Sequence, residues 1–286
     1  HRRVSASICF VVGARPNFMK AAPVHRALQA LDPGLDVVLV HTGQHYDARM
    51  SEVFFDQLGV GQPDVRLDVG SGSHAQQTAR VMERLEPVLL ERQPDLVLVP
   101  GDVNSTMAAA IVAVKLGIPV GHIEAGLRSF DRTMPEEINR IVTDSISDLL
   151  FIHSPEARDH LLREGARPEA IHDVGNTMID TLVALRDRID AEDSPGRLGL
   201  EPGKYLVVTL HRPALVDGPL LAEAVAALRR LSDELTIVFP AHPRTRGAIE
   251  ALGINADSDR LRLLEPLGYL EFLSLISGAA GALTDS

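Results

Sequence analysis

Three carboxylates in the first half of the chain stand where an enzyme could use them for proton transfer. Asp102 and Glu124 each follow an apolar run typical of a buried strand, and Glu136 opens an amphipathic stretch soon afterwards. Taken singly, each is better explained structurally, with Asp102 as a helix cap and Glu136 complementing a helix dipole. Paired carboxylates with separated pKa values, however, act as general acid and base. Convergence with Arg128 and Arg140 on one cleft favours this second interpretation.

Cationic residues follow the first apolar run. Gly13 and Arg15 come directly after it, and Lys20 lies within the helix that is predicted next. A helix N-terminus attracts anions, and Arg and Lys side chains add positive charge beside it. A lone Arg at such a point is usually a solvated or capping residue. The combination of Gly, Arg and Lys predicts an anion pocket.

Two histidines with neighbouring arginines follow apolar runs in the second half of the chain. His211 precedes Arg212, and His242 lies two residues before Arg244. A single histidine at a strand end is more often a structural imidazole than a functional one. Two strand ends that each carry a histidine and an arginine favour a clamp for a diphosphate.

The scaffold predicted for these residues is an α/β fold. Apolar runs alternate with amphipathic stretches, and nearly continuous apolar strands are typical of parallel sheets covered on both faces. We predict two doubly wound, Rossmann-like domains that face each other across a cleft, the first spanning 1–175 and the second 176–286. In such sheets ligands bind beyond the carboxyl ends of the strands, which is where the candidate residues lie.

The element boundaries follow from the same pattern. Predicted strands occupy 8–13, 36–42, 96–100, 118–123, 149–153, 171–174, 205–210, 235–240, 261–264 and 281–284. Predicted helices occupy 16–31, 73–92 with a kink or break at Pro87, 105–116, 135–147, 155–164, 217–231, 246–252 and 269–277, and 191–204 is a predicted linker. Because the sequence stops at the carboxyl end of a predicted strand, we expect an incomplete second domain and a longer natural protein.

The composition excludes several functional classes. With 28 basic and 39 acidic residues, the net charge of −11 disfavours general binding to nucleic acid or to an anionic membrane. The single cysteine, Cys9, excludes an internal disulfide and a cysteine-based zinc site. No apolar run reaches the roughly 18 residues of a membrane span, and the N-terminal apolar stretch continues into a strand rather than a signal peptide. We expect a cytoplasmic protein.

Motifs for common cofactors are missing from the sequence. No Gly-x-Gly-x-x-Gly follows a predicted strand, and there is no Walker loop, no His-Glu-x-x-His and no Gly-x-Ser-x-Gly. The sequence therefore predicts neither a nicotinamide cofactor nor a metal.

From end to end, the chain resembles the non-hydrolysing UDP-N-acetylglucosamine 2-epimerases. The segments that carry the resemblance are 13–16 with Lys20, 42–45, 101–102, 122–128, 135–140, 175–177, 209–213 and 284–286. The resemblance implies a glycosyltransferase-B-like pair of domains, a UDP-sugar substrate, a homodimer, and no metal or nicotinamide cofactor. It also implies reversible inversion at C2, in which UDP is lost, a 2-acetamidoglucal forms, and UDP adds back.

The resemblance assigns roles to individual residues. Asp102, Glu124 and Glu136 become the acid–base candidates, and His211 would stabilise or protonate the departing diphosphate. The UDP-sugar would be held by Arg15, Lys20, Arg140, Arg212, Phe272 and Ser286. Which carboxylate takes the C2 proton stays open.

Two departures from the family pattern bear on activity. The family continues past Thr-Asp-Ser into a loop that grips the ribose and phosphate, and adds a C-terminal helix; without them we expect weakened UDP binding and turnover. Some bacterial relatives are activated by substrate through a Gln-His-x-Gln segment. Here the segment begins at Gln44 and ends in Asp47, so activation is not assumed, although Gln44 and His242 are the candidate effector residues.

Three alternatives remain open at this point. A hydrolysing epimerase would release free N-acetylmannosamine and UDP. A glycosyltransferase of the same architecture would need an acceptor and only one catalytic base, which the clustered carboxylates disfavour. A catalytically inactive nucleotide-sugar sensor would bind the substrate without isotope exchange, and the presence of Asp102, Glu124, Glu136 and His211 disfavours it.

Overall fold

The structure is a computed structural model that describes residues 6–44, 58–253 and 258–285, with the backbone alone at 15, 16 and 213. The chain divides into two compact units, His1–Ala184 and Leu185–Ser286. Among the described residues, no helix combines the length and the apolar character needed to cross a membrane.

The first unit is built on a parallel sheet, which in the described residues has seven strands. The strands are β1 (Ser7–Val12), β2 (Asp36–His41), β3 (Val65–Arg66), β4 (Leu96–Pro100), β5 (Val120–Ile123), β6 (Leu149–Ile152) and β7 (Ile171–Asp173). Their order across the sheet is β3-β2-β1-β4-β5-β6-β7. The strand order reverses between β1 and β4, and ligands of doubly wound sheets bind at this switch point.

Helices connect these strands. They are α1 (Arg15–Leu31), α2 (His74–Arg92), α3 (Asn104–Lys115), α4 (Pro135–Ile146), α5 (Pro155–Arg163) and α6 (Thr177–Ala184), with a 3-10 turn at Pro168–Ala170. Ser73 begins α2 by accepting a hydrogen bond from the Gln76 backbone N–H. The helix continues through Pro87, so the predicted break there is wrong.

Small side chains bring α3 against the sheet and α2. Its residues Ala108, Ala109 and Ala113 are fully buried and share a core with Val97 of β4 and Val81 of α2. Strands buried in this way have apolar side chains on both faces, as the sequence pattern predicted.

The division of the chain falls nine residues after the predicted domain boundary, at Ala184 rather than Gly175. The reason is that α6 packs on α1, where the Thr181 hydroxyl donates a hydrogen bond to the Met19 carbonyl at 2.6 Å. This short helix therefore belongs to the first unit.

The second unit is a smaller doubly wound α/β domain. Its strands are β8 (Tyr205–Thr209), β9 (Thr236–Pro240), β10 (Leu261–Leu264) and β11 (Gly281–Thr284), all parallel and in the order β10-β9-β8-β11. Its helices are α7 (Arg186–Glu192), α8 (Ser194–Arg197), α9 (Pro213–Val216), α10 (Leu221–Leu231), α11 (Pro243–Ala251) and α12 (Tyr269–Ser277). The strand order reverses between β8 and β11, so the switch point of this sheet lies beside the end of β8.

Two sequence predictions for this unit are corrected. The predicted linker at 191–204 contains the end of α7 and all of α8, which pack against α12, and the Ser194 N–H donates to the Ser274 hydroxyl at 3.1 Å. Pro and Gly suggested a linker because both are common in loops. Here Pro195 lies in the first turn of α8, and the Gly196 N–H bonds to the Asp193 carboxylate. The helix predicted over 217–231 begins only at Leu221, and the short helix α9, which was not predicted, precedes it.

Candidate active site

The carboxyl ends of β4 and β5 lie side by side and carry the first two predicted carboxylates. The Gly101 N–H donates to the Ile123 carbonyl at 2.9 Å, which joins the residue before Asp102 to the residue before Glu124. Gly101 has a φ of +69°, and a Cβ there would lie 3.0 Å from Asn17 Nδ2 and 3.1 Å from Lys20 Nζ. Glycine therefore allows α1 to approach the end of β4.

Glu124 is paired with Lys20 of α1. The Lys20 ammonium lies 2.6 Å from Glu124 Oε1, and the two side chains are only 8% and 14% exposed. Charges this deeply buried must be paired, because desolvation of a lone ion costs several kcal/mol. Lys20, predicted to hold the UDP-sugar, thus contacts a predicted acid–base residue directly.

Asp102 is paired with Arg140 of α4. Arg140 donates from Nη2 and Nε to Asp102 Oδ2 at 2.7 and 3.1 Å, and from Nη1 to Glu137 Oε2 at 2.8 Å. Burial acts to lower the pKa of Arg140, but Asp102 and Glu137 hold it above its ordinary value. The Asp102 side chain keeps a quarter of its surface exposed, so it is accessible to a ligand. Its predicted alternative role as a helix cap is wrong, since the capping position before α3 is occupied by Val103, and no side chain caps the helix there.

Two adjacent glutamates open α4, and they have different surroundings. Glu137 is buried, and its two carboxylate oxygens accept from the backbone N–H groups of Ser129 and Phe130, each at 2.9 Å. Burial acts to raise the pKa of Glu137, but these N–H groups and Arg140 hold it below its ordinary value. Glu136, the predicted acid–base candidate, is half-buried, and within the described residues it makes no hydrogen bond or ion pair. Glu137 therefore has a structural role that the sequence did not distinguish.

Glu124 has an unusual backbone conformation. Its φ is +71°, in the left-handed region that few residues other than glycine adopt. The N–H groups of Glu124 and Ala125 both donate to the Phe151 carbonyl of β6 at 3.0 Å. Gly126 follows with a φ of +80°, where a Cβ would lie 2.6 Å from the Ala157 carbonyl oxygen. Contacts with Phe151 and Ala157 thus hold this left-handed turn, as is common for strained backbone at functional sites.

A buried polar network that the sequence pattern did not predict stabilises this turn. Asp144 of α4 accepts from the Gly126 N–H at 3.0 Å and lies 2.6 Å from His122 Nδ1 and 2.8 Å from Arg128 Nη1. The Arg128 side chain is 1% exposed and stabilises the turn through Asp144. It does not join Asp102, as the sequence had predicted it would. The available signal was His122 itself, a polar residue in the otherwise apolar strand β5.

The predicted anion-binding groups after β1 already have partners in this structure. The N–H groups of Gly13 and Ala14 both donate to the Asn17 side-chain oxygen at 3.2 Å, and Asn17 Nδ2 donates to the Pro100 carbonyl. Asn17 thereby fastens the end of β1 to the end of β4. The side chain of Arg15 lies outside the described residues, and its role stays a prediction.

Gln44, one of the two effector candidates, is buried beside α3. Its side-chain oxygen accepts from the Ser105 N–H at 3.1 Å and from the Ser105 hydroxyl at 2.7 Å. This arrangement positions the start of α3, while the predicted effector role stays untested. The rest of the Gln-His-x-Gln segment lies outside the described residues.

In the second unit, Asp285 organises the end of β8. Its carboxylate accepts from the backbone N–H groups of His211 and Arg212 at 2.9 and 2.8 Å and lies 3.0 Å from His211 Nδ1. Burial acts to raise the pKa of Asp285, but these two N–H groups hold it below its ordinary value. A carboxylate that hydrogen-bonds to one ring nitrogen of a histidine commonly orients the other nitrogen for proton transfer. Asp285 lies in the Thr-Asp-Ser segment that carries the family resemblance, but its sequence context predicted no role for it.

A small cavity brings three of the predicted residues of this unit together. It has a volume of roughly 250 Å³, and its lining includes His211, His242 and Phe272. Ser286 lies outside the described residues, and Arg212 is exposed. Among the described residues, no three His, Cys, Asp or Glu side chains are grouped as a metal site requires.

A family profile and two related sequences identify the same kind of enzyme. The profile described as UDP-N-acetylglucosamine 2-epimerase matches residues 26–286. A Pseudomonas aeruginosa relative named UDP-2,3-diacetamido-2,3-dideoxy-D-glucuronate 2-epimerase is 44% identical over 98% of this chain and 78% of its own length. A Methanococcus maripaludis relative named UDP-N-acetylglucosamine 2-epimerase is 41% identical with the same coverage.

Solved structures agree with the sequence comparison. The Methanocaldococcus jannaschii UDP-GlcNAc 2-epimerase in complex with UDP-GlcNAc and UDP has a TM-score of 0.87 at 38% identity, covering 98% of this chain and 79% of that one. The Neisseria meningitidis enzyme bound to UDP-GlcNAc has a TM-score of 0.89 at 28% identity, covering 98% and 78%.

The environment of Glu137 predicts a pH-dependent contribution to stability. Because its folded-state pKa is depressed, the ionised group contributes stability that is fully present above its unfolded pKa of about 4.3 and is lost as the pH falls through the folded value. Glu137→Gln should lower the free energy of unfolding by about 1–3 kcal/mol at pH 7, with the difference shrinking in acid. Urea denaturation at a series of pH values measures this. The exposed Glu169→Gln is the control, and a pH-independent difference for Glu137→Gln would contradict the assignment.

Proposed function

This chain belongs to the UDP-N-acetylglucosamine 2-epimerase family, and from that premise we propose that it interconverts UDP-N-acetylglucosamine and UDP-N-acetylmannosamine without hydrolysing them. The relatives' names and the UDP-GlcNAc found in two solved structures support this substrate class. The observation that carries the proposal is the pair of carboxylates at adjoining strand ends, Asp102 and Glu124, each held by a cation from a neighbouring helix.

The proposed reaction inverts C2 by elimination and re-addition. One carboxylate takes the C2 proton while the C1–oxygen bond to UDP breaks, which leaves a C1=C2 double bond in a 2-acetamidoglucal. UDP then adds back at C1 while a carboxylic acid delivers a proton to the other face of C2. Removal of a weakly acidic C–H requires a positioned base, and delivery to the opposite face requires a second group. Asp102, Glu124 and Glu136 are the candidates, and their order of action is left open.

His211 is proposed to stabilise or protonate the departing diphosphate. Asp285 holds its Nδ1 at 3.0 Å, and the imidazole borders the cavity shared with His242 and Phe272. An oriented imidazole can stabilise or protonate a phosphate oxygen as negative charge develops there. The described part of the second unit thus supplies a proton donor for the departing diphosphate.

We also expect the enzyme to be a cytoplasmic homodimer whose small-molecule partner is a UDP-sugar. The net charge of −11 supports the absence of general nucleic-acid or membrane binding.

Substitution of Asp102 tests the proposed chemistry. Asp102→Asn keeps the shape of the side chain but removes the carboxylate, so epimerisation should fall to background while UDP affinity stays within a few-fold. Proton NMR of the products measures turnover, and calorimetry measures UDP binding. Asp159→Asn, at an exposed aspartate of α5, is the control and should keep full activity.

Either of two results would contradict this assignment. Near-normal turnover of Asp102→Asn would remove Asp102 from the acid–base set. Release of free N-acetylmannosamine and UDP by the unsubstituted protein would identify a hydrolysing epimerase.

A second substrate is favoured by one observation. The 44% identical Pseudomonas relative carries the name of an epimerase for UDP-2,3-diacetamido-2,3-dideoxy-D-glucuronate, which shares the 2-acetamido group and the UDP leaving group. The same carboxylates could invert C2 of either sugar. Our primary proposal predicts a higher kcat/KM for UDP-N-acetylglucosamine when the two are compared side by side. A preference of tenfold or more for the glucuronate would favour the second function.

A further inference from the structure

His122 has a hydrogen-bond acceptor at each ring nitrogen. The residue is fully buried in β5, with Nδ1 2.6 Å from Asp144 Oδ1 and Nε2 2.7 Å from the Gly101 carbonyl oxygen. A neutral imidazole carries only one N–H, so one of its nitrogens would direct a lone pair at an acceptor. A carbonyl oxygen cannot donate a proton, and therefore Nε2 must carry one.

Asp144 does not supply the other proton. Its second oxygen, Oδ2, accepts from the Gly126 N–H at 3.0 Å and lies 2.8 Å from Arg128 Nη1. A protonated Asp144 would leave the buried guanidinium of Arg128 against a neutral carboxyl group, whereas a buried cation requires an ionised partner. Asp144 is therefore an ionised acceptor, and the short contact at Nδ1 requires an N–H from the imidazole.

We propose that His122 is held as an imidazolium and that it is a positioning residue for the acid–base pair Asp102 and Glu124. It donates to the carbonyl of Gly101, the residue before Asp102. Through Asp144 it is joined to Gly126, two residues after Glu124. The catalytic part of this proposal rests on the proposed function, whereas the charge state of His122 does not.

The surrounding charges support a buried imidazolium. Asp144 faces it from α4, and Arg128, on the loop after β5, lies between Asp144 and Glu164, with Arg128 Nε donating to Glu164 Oε1 at 2.8 Å. The positive charges of His122 and Arg128 balance the negative charges of Asp144 and Glu164. A buried ion is tolerated only when it is paired and fully hydrogen-bonded, and both nitrogens of His122 meet this condition.

The network gives His122 a specific effect on geometry. Without its two N–H groups, the peptide before Asp102 loses a bond and Asp144 loses one of the partners that hold it against the turn at Glu124. A misplacement of about 1 Å in a catalytic group can lower turnover by about 100-fold. We expect UDP affinity to change much less, because the hydrogen-bond partners of His122, Asp144 and the Gly101 carbonyl, are not among the groups proposed to hold UDP.

Nitrogen NMR tests the charge state directly and needs no active enzyme. In protein labelled with 15N-histidine, the signals of His122 are assigned by their loss in His122→Gln. We expect both ring nitrogens to carry protons at neutral pH, because each faces a hydrogen-bond acceptor. One ring nitrogen without a proton at neutral pH would overturn the proposal.

Asp144→Asn is the second variant, and it separates charge from shape. The Asn amide can donate to Nδ1, so the imidazole should become neutral and keep only its Nε2–H. If His122→Gln does not fold, the signal that changes in Asp144→Asn gives the assignment. An unchanged, doubly protonated His122 in Asp144→Asn would contradict the pairing described above.

Kinetics test the positioning role. His122→Gln should lower kcat about 100-fold with KM within about threefold. The control is His172→Gln, at an exposed histidine of β7 in the same sheet, and it should match the unsubstituted protein. Equal kcat in the two variants, or a loss confined to KM, would overturn the positioning role. Lack of turnover by the unsubstituted protein would instead count against the proposed function, with the NMR result still deciding the charge of His122.

Discussion

The left-handed backbone at Glu124 is the constraint on which the candidate site of the first domain depends. A φ of +71° at a residue with a side chain costs about 1–2 kcal/mol, so other contacts must hold it. The Phe151 carbonyl accepts from Glu124 and its neighbour, and Asp144 accepts from Gly126. Strand β6 and helix α4 thus fix the direction in which the chain leaves β5. A carboxylate carried on such a turn is rigidly placed, as proton transfer at carbon requires.

Charge pairing completes this arrangement in a chain that is acidic overall. Lys20 and Glu124 are 104 residues apart in sequence, yet they meet because β1 and β5 both adjoin β4. Arg140 of α4 pairs in the same way with Asp102, which follows β4. Asp102 and Glu124 therefore each have their own cation, which compensates the charge that is partly removed from solvent at each strand end. The topology of the parallel sheet makes these pairs possible, and the helices supply the cations.

The sequence predicted the alternation of strands and helices, and it placed Asp102 and Glu124 at strand ends, because parallel buried strands have a strong apolar pattern. It did not predict that Lys20 contacts Glu124, since the rotation of α1 about its axis decides that contact. The difference between Glu136 and Glu137 also depends on helix phase, because adjacent residues of a helix point in different directions. The His122–Asp144–Arg128 network joins a strand, a loop and a helix, so His122 in an apolar strand indicates a buried polar group but not its partners. Composition misassigned the linker because Pro and Gly are equally common at helix starts and in turns.

The central claim is that a carboxylate at this strand edge removes the C2 proton of the sugar. Proton NMR of UDP-N-acetylglucosamine incubated with the protein in D2O tests it most directly. The Asp102 side chain is 25% exposed, so a proton held there should exchange with solvent. The account predicts that both epimers acquire deuterium at C2 as UDP-N-acetylmannosamine appears. UDP-N-acetylmannosamine that forms with its original hydrogen at C2 would contradict it.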